Sequence, residues 1–134
     1  DAMGVYSTKY PGNCIVSPDK DMRQIPGKLY NLDEVFTVKK DEGAKWHLIQ
    51  ALAGDQTDGY SGVPGIGVKR ATTLFDESGY SWKTVLKAFT DKGLTEYDAI
   101  TNARLARILT VDDYDFKNKC PILWTPAADY QINN

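Results

Sequence analysis

Gly54-Asp55-Gln56-Thr57-Asp58-Gly59-Tyr60-Ser61-Gly62-Val63-Pro64-Gly65-Ile66-Gly67-Val68-Lys69-Arg70-Ala71 is the stretch on which the reading of this chain turns. It sets two carboxylates three residues apart, follows them with a glycine-rich turn, and then opens a helix with two cations. Carboxylate oxygens suit a hard divalent cation. Asp55 and Asp58, placed on one helical turn, would stack on a common face. Glycines at 62, 65 and 67 let the backbone approach a ligand closely. The amides of the turn and of the helix start then suit a phosphate oxygen. Lys69 and Arg70 add positive charge. Contacts of this kind grip a sugar–phosphate backbone without reading bases, so binding is expected to be sequence-neutral and salt-sensitive. The G-x-x-x-x-G-K-[ST] spacing of a nucleotide-binding P-loop is absent.

Working outward, residues 41–53 carry a helical pattern, with Trp46, Ile49 and Ala53 on one face. Val68 to Phe75 is a second helix. Trp82, Val85, Leu86 and Phe89 form an i, i+3, i+4, i+7 stripe for a third, stopped by Gly93. Thr95-Glu96-Tyr97-Asp98 resembles a capping box and predicts a fourth, running to about Leu109. The tail, residues 110–134, reads as irregular. Toward the start, residues 1–9 read as the tail of a helix ended by Pro11-Gly12. Cys14-Ile15-Val16-Ser17 fits a buried parallel strand. Residues 18–25 read as a loop with one helical turn. Lys28–Leu32 and Val35–Lys39 predict a hairpin at a sheet edge. The fold class is therefore α/β: residues 1–40 as the remnant of a parallel sheet with an edge hairpin, and residues 41–134 as a helical subdomain. No N-cap precedes Asp1, which predicts that the chain is the C-terminal part of something longer.

A second acid pair supports the metal reading. Asp19 and Asp21 follow the Cys14–Ser17 strand, at the sheet edge where α/β sites form. Two apart in an extended segment, their side chains point the same way. Asp1 is a fifth candidate. Carboxylates converging without cations would repel and raise one another's pKa values. Magnesium, or manganese in its place, removes that cost. Two such ions about 3.5–4 Å apart suit cleavage of a phosphodiester. Taken singly, each aspartate is more often a cap or turn former; the two pairs, each beside a Gly or Pro turn, carry the argument. The function class this points to is nucleic-acid hydrolysis.

Composition sets limits. The chain has 134 residues, 42% hydrophobic, with 18 acidic and 16 basic side chains and a net charge of −2. That size suits one domain, and the charge is unlike that of a basic nucleic-acid coat. No apolar run approaches a membrane span. Cys14 and Cys120 read as reduced thiols of a cytosolic protein rather than a disulfide. His47, the lone histidine, is expected to be a partly exposed surface residue, and Arg104 and Arg107 to face solvent. Lys20, Arg23 and Lys28 flank the acidic loop and read either as contacts to the scissile strand or, equally well or better, as solvated charge. No histidine–cysteine zinc spacing and no nucleophile triad is present.

These residues resemble a known family. Gly54 to Ala71 is similar to the helix–three-turn–helix of the 5′→3′ exonuclease and flap endonuclease superfamily. Ser17-Pro18-Asp19-Lys20-Asp21 resembles its S-x-D-K-D metal loop, and Asp1-Ala2-Met3-Gly4-Val5 the end of its E-[AG]-D-D helix. Within it, the exonucleases of short-tailed coliphages are resembled further at Trp46-His47-Leu48, Ala106-Arg107-Ile108-Leu109 and Leu123-Trp124. The resemblance implies a magnesium-dependent enzyme that removes nucleotides from 5′ ends of duplex DNA, with action on RNA–DNA hybrids or flaps. It assigns Asp19, Asp21, Asp55 and Asp58 to metal binding, with Asp1 as a further acid. It also implies a potassium ion held at the DNA by backbone carbonyls near Gly62, Val63 and Ile66. The family's further acids and its helical arch belong to an N-terminal half that these residues do not include. The rival reading is a non-catalytic, sequence-neutral module that binds duplex DNA.

Overall fold

The computed structural model describes residues 2–132. They form a mixed α/β structure of five α-helices and two small sheets. Asp1 lies outside the described residues. Contacts divide the chain into two compact units, one of residues up to Ala44 plus Ile108–Leu123, the other of Lys45–Arg107 plus the segment from Trp124.

The first unit is built on a three-stranded sheet. β1 (Cys14–Val16) pairs in parallel with β2 (Gly27–Tyr30), and β2 pairs antiparallel with β3 (Val35–Val38). The register sets Ile15 opposite Leu29 and Leu29 opposite Phe36. Side chains alternate across a strand, so Ile15, Leu29 and Val38 point to one covered face. There they meet Met22 and Ile25, with Phe36 and Ile108 packed against them. Burying a side chain such as Leu29 contributes about 1.5–3 kcal/mol. β1 departs from the expected buried strand: only Ile15 is buried, while Cys14 and Val16 are exposed. It is a half-covered edge strand. The hairpin turn is held by Asn31, whose Oδ1 accepts the amides of Asp33 (3.0 Å) and Glu34 (2.9 Å).

α1 (Ala2–Lys9) approaches residues 108–111 through Gly4, where any Cβ would overlap the Leu109 carbonyl. The Val111 amide donates to Thr8 Oγ1 at 2.7 Å. The Ile108 amide donates to Gln24 Oε1 at 2.9 Å. The tail is more ordered than composition suggests. It contains a 3-10 turn (Val111–Asp113), with Thr110 donating to the Asp113 carboxylate, and a short ladder between β4 (Tyr114–Asp115) and β5 (Cys120–Pro121). Cys14 and Cys120 are free, exposed thiols.

α2 (Lys40–Ala53) spans the residues where one unit gives way to the other. The second unit continues with α3 (Val68–Ser78), α4 (Trp82–Thr90) and α5 (Glu96–Ala106). Leu48, Leu52, Val63, Phe75, Val85, Phe89, Ala99 and Ala103 are its fully buried core. The α4 stripe is the one read from sequence, and Ser81 caps it, accepting the Thr84 amide at 3.2 Å. The capping box at Thr95 and Asp98 is present; α5 stops at Ala106 rather than near Leu109. Residues 124–132 strap this unit. Trp82 N donates to Tyr130 O (3.0 Å), and Ile132 N to Tyr80 O (2.8 Å). No helix among the described residues is long and apolar enough to cross a membrane.

Candidate functional site

In the second unit, α2 ends at Ala53 and the chain turns at Gly54 (φ +72°). Asp55 and Asp58 do not share a helical face, as their spacing suggested. They sit in a tight turn closed by a bridge between Asp55 and Tyr60, with Asp55 N to Tyr60 O at 2.8 Å. Aspartate suits such a turn because its carboxylate can accept amides two and three residues on. Here Asp55 Oδ1 accepts the amides of Thr57 (2.9 Å) and Asp58 (3.4 Å). Asp55 is half-buried and Asp58 exposed, so both carboxylates are open to a ligand from solvent. Tyr60 is buried beneath them.

The glycine-rich turn follows at once. Gly62 has φ +61°, and a Cβ there would overlap the Leu52 carbonyl and the Gly54 backbone. Only glycine permits that approach. Val63 N donates to Leu52 O (2.8 Å), and Ile66 N to Val63 O (3.1 Å), drawing the loop back onto α2. Val63 and Ile66 are buried, whereas Gly65 and Gly67 are exposed with open space where a Cβ would stand. Gly67 is the N-cap of α3 and supplies no side-chain cap. The first amides of α3 therefore keep outward-facing donors and the positive end of the helix dipole. Lys69 and Arg70 are exposed in that first turn.

One residue that sequence reasoning missed holds this turn. Asn102, in the middle of α5, accepts the Gly62 amide on Oδ1 at 2.8 Å and donates from Nδ2 to Asp98 O at 2.8 Å. The available signal was an amide side chain between Ala99 and Ala103, which lie on the buried face of α5.

In the first unit, Asp19 and Asp21 do not lie in an extended segment. Asp19 is the N-cap of a 3-10 helix (Lys20–Gln24), and its Oδ1 accepts the Asp21 amide at 2.9 Å. Its own amide donates to Ser17 Oγ at 3.1 Å. Asp19 is exposed, while Asp21 is only 6% exposed. A carboxylate is rarely buried without an ionic or hydrogen-bonding role. Of the flanking cations, Lys20 and Lys28 are exposed, and the Arg23 guanidinium lies 5.6 Å from the Phe36 ring centroid.

Two expectations are corrected. His47 is fully buried rather than at the surface. Its Nε2 donates to Ala103 O at 2.7 Å, and its ring meets Trp124 edge-on at 4.7 Å. Arg104 does not simply face solvent: its Nε donates to Trp124 O (3.0 Å) and its Nη2 to Thr125 Oγ1 (3.2 Å). Arg107 is half-buried. Long-range contacts with the strap, invisible to helical periodicity, place His47 and Arg104.

Comparison with known proteins bears on this geometry. The chain is 30% identical over 150 residues to the exodeoxyribonuclease of Enterobacteria phage T3, covering 85% of this chain and 49% of that protein. It is similar to phage exonucleases. The exonuclease of Escherichia phage T7 is 28% identical over 145 residues, covering 84% of this chain and 48% of that protein. The chain thus spans about half the length of the curated exonucleases it matches. No protein-family profile matches it.

Proposed function

We propose that this chain belongs to the working part of a 5′→3′ exodeoxyribonuclease that hydrolyses phosphodiesters at the 5′ ends of duplex DNA, with RNA–DNA hybrids or flaps as further substrates. The observation that carries the reading is the run from Asp55 to Arg70. There an acid turn leads directly into an exposed glycine backbone and an uncapped, cation-flanked helix start. The similarity to two phage exonucleases supports the same class of chemistry.

On this reading α2, the glycine-rich turn and α3 act as a helix–three-turn–helix. The N–H groups at the start of α3, with Lys69 and Arg70, bind one phosphate rail of the duplex and orient the 5′ end. Carbonyls of Gly62, Val63 and Ile66 are the proposed seat of a potassium ion against that rail. Asp19, Asp21, Asp55 and Asp58, with Asp1 as a further acid, are the proposed ligands of magnesium or manganese. The donor set fits a hard cation, since every ligand atom is a carboxylate oxygen. Two such ions, when bound, would polarise the phosphodiester and offset the charge that builds on its oxygens. The chain's own part is to hold those oxygens rigidly: Asp55 by its amide contacts within the turn, Asp19 by its cap. The residues of the relatives that lie beyond the matched half are the proposed source of further acids and of a threading arch.

Protein incubated with 5′-labelled duplex DNA and with the matching RNA–DNA hybrid is expected to release labelled nucleotide with magnesium or manganese and none with a chelator. One observation favours a second reading, a non-catalytic duplex-binding module: Asp19 and Asp55 each use a carboxylate oxygen as a local cap. Retention of duplex without cleavage under any divalent ion, both alone and when joined to the half that carries the further acids, selects that module. Absence of both retention and cleavage refutes both readings.

A further inference from the structure

The second unit contains a groove of about 280 Å³ between α3 and α4 that the acid and glycine turns do not explain. Its walls carry Ile66 and Leu74, and three cations line it: Arg70 from α3, Lys87 from α4, and Lys92 just past the α4 end. Gly65 and Ile66 of the glycine-rich turn also line it, so the groove opens out of that turn. Among the described residues, Arg70 and Lys92 have no acidic partner. Lys87 is held by Asp91 at 3.0 Å, an exposed pair in which both side chains are mostly in water. Such a pair contributes little to stability, and a phosphate can replace the carboxylate without loss of charge balance.

We infer that this groove is a second seat for the DNA backbone: a stretch of the same duplex strand, running on from the turn, lays its phosphates against Arg70, Lys87 and Lys92 and its deoxyriboses against Ile66 and Leu74. The inference rests on the proposed duplex grip at the turn and extends the protein's footprint past it. Arg70 belongs to both seats and fixes their continuity. The mixed lining matches this ligand, which alternates an anionic phosphate with an apolar sugar edge. A free anion would use the cations and leave the apolar wall unused. Asp91 opposes occupancy, because its carboxylate must give up Lys87 and stand near a phosphate.

The test is the salt dependence of duplex binding, followed by anisotropy of a fluorescein-labelled duplex in chelator, for the parent, Lys69→Ala, Lys87→Ala/Lys92→Ala, Lys83→Ala and Asp91→Asn. Each backbone contact contributes close to one unit to the slope of log K against log salt. The double variant is expected to lower that slope by about two. Lys83, exposed on α4 but outside the groove, should leave it unchanged, and Asp91→Asn should tighten binding at low salt. A short single-stranded dinucleotide should compete weakly and equally for the parent and the double variant, since it cannot span both seats. If Lys69→Ala lowers the slope and the double variant does not, the groove is refuted while the turn stands. If the double variant and Lys83→Ala lower it alike, the groove is refuted as a specific seat. If the parent shows no salt dependence at all, the turn falls and the groove with it.

Discussion

Asn102→Ala should loosen the glycine-rich turn without touching any charged group. The parent Asn102 makes two 2.8 Å bonds, accepting from the Gly62 amide and donating to Asp98 O. The second matters little, because a helical carbonyl such as Asp98 O already accepts from the amide four residues on. The first is the costly loss. Gly62 is buried, and a buried donor left unsatisfied costs about 1–3 kcal/mol. Taking the middle of that range gives about 2 kcal/mol. For a chain of this length the unfolding entropy is roughly 0.28 kcal/mol per kelvin, so the melting temperature should fall by about 7 °C. Urea denaturation followed by tryptophan fluorescence reads the free energy directly. Asn102→Asp keeps the acceptor and should recover most of the loss, which separates the hydrogen bond from packing. The turn carries the proposed duplex grip, so anisotropy with labelled duplex should show weaker binding for Asn102→Ala with an unaltered salt slope. A change within about 0.5 kcal/mol, the ordinary range for a surface substitution, would refute the argument that Asn102 holds Gly62 in place.

Gly62→Ala should cost about 3 kcal/mol or more in urea, combining left-handed strain with overlap against backbone that cannot yield. Gly65→Ala, also left-handed at φ +81° but with open space, should cost only about 1–2 kcal/mol. Asp58→Ala and Asp55→Asn, the latter keeping the Oδ1 that accepts Thr57, should each lower divalent-dependent cleavage by about 100-fold or more. Duplex affinity in chelator should be nearly unchanged, and wild-type turnover in either variant would remove that residue from the proposed ion site. Tyr80 is held neutral by burial first, then by the charge of Asp76 and by its own hydrogen bond to that carboxylate at 3.3 Å, so its pKa lies above the usual 10.0. The unfolded chain gives up this proton first. The stabilisation is therefore complete below pH 10 and drains away as pH rises from there through the folded value. Tyr80→Phe should lose less stability than the parent between pH 9 and 11 in urea titrations, and parallel losses would contradict this assignment.

What could be read from the sequence was whatever rests on neighbours along the chain. The α4 stripe, the Thr95–Asp98 capping box and the Val35–Val38 hairpin strand are all set by residues within a few positions of one another. The parallel partner of β1 was expected, but its exposed flank at Val16 was not, since covering a strand depends on segments far away. The spacing of Asp55 and Asp58 suggested a helical face. The competing tendency of aspartate to bond its own following amides formed a turn instead. His47 and Arg104 were misjudged for one shared reason. Trp124, far along the chain, delivers both a ring against the imidazole and a carbonyl to the guanidinium. Asn102 escaped notice because its partner, the Gly62 amide, leaves no mark in composition or periodicity.

The order in which segments enter the two units has a consequence for biogenesis. One unit recruits Ile108–Leu123 to join the chain before Ala44, and the other recruits the stretch beginning at Trp124 to join Lys45–Arg107. A ribosome delivers the polypeptide in one direction, at about 5–20 residues per second. While α5 is emerging, the amide acceptor of Gln24 still awaits Ile108, the Trp82 amide still awaits Tyr130 and the Trp82 ring still awaits Trp124. Neither unit can therefore close before its late segment has been made, after long loops have been spanned at an entropic cost. Until then Leu29, His47 and Trp82 remain open to chaperones and proteases, so a faulty copy stays within their reach until the late segments have emerged and docked.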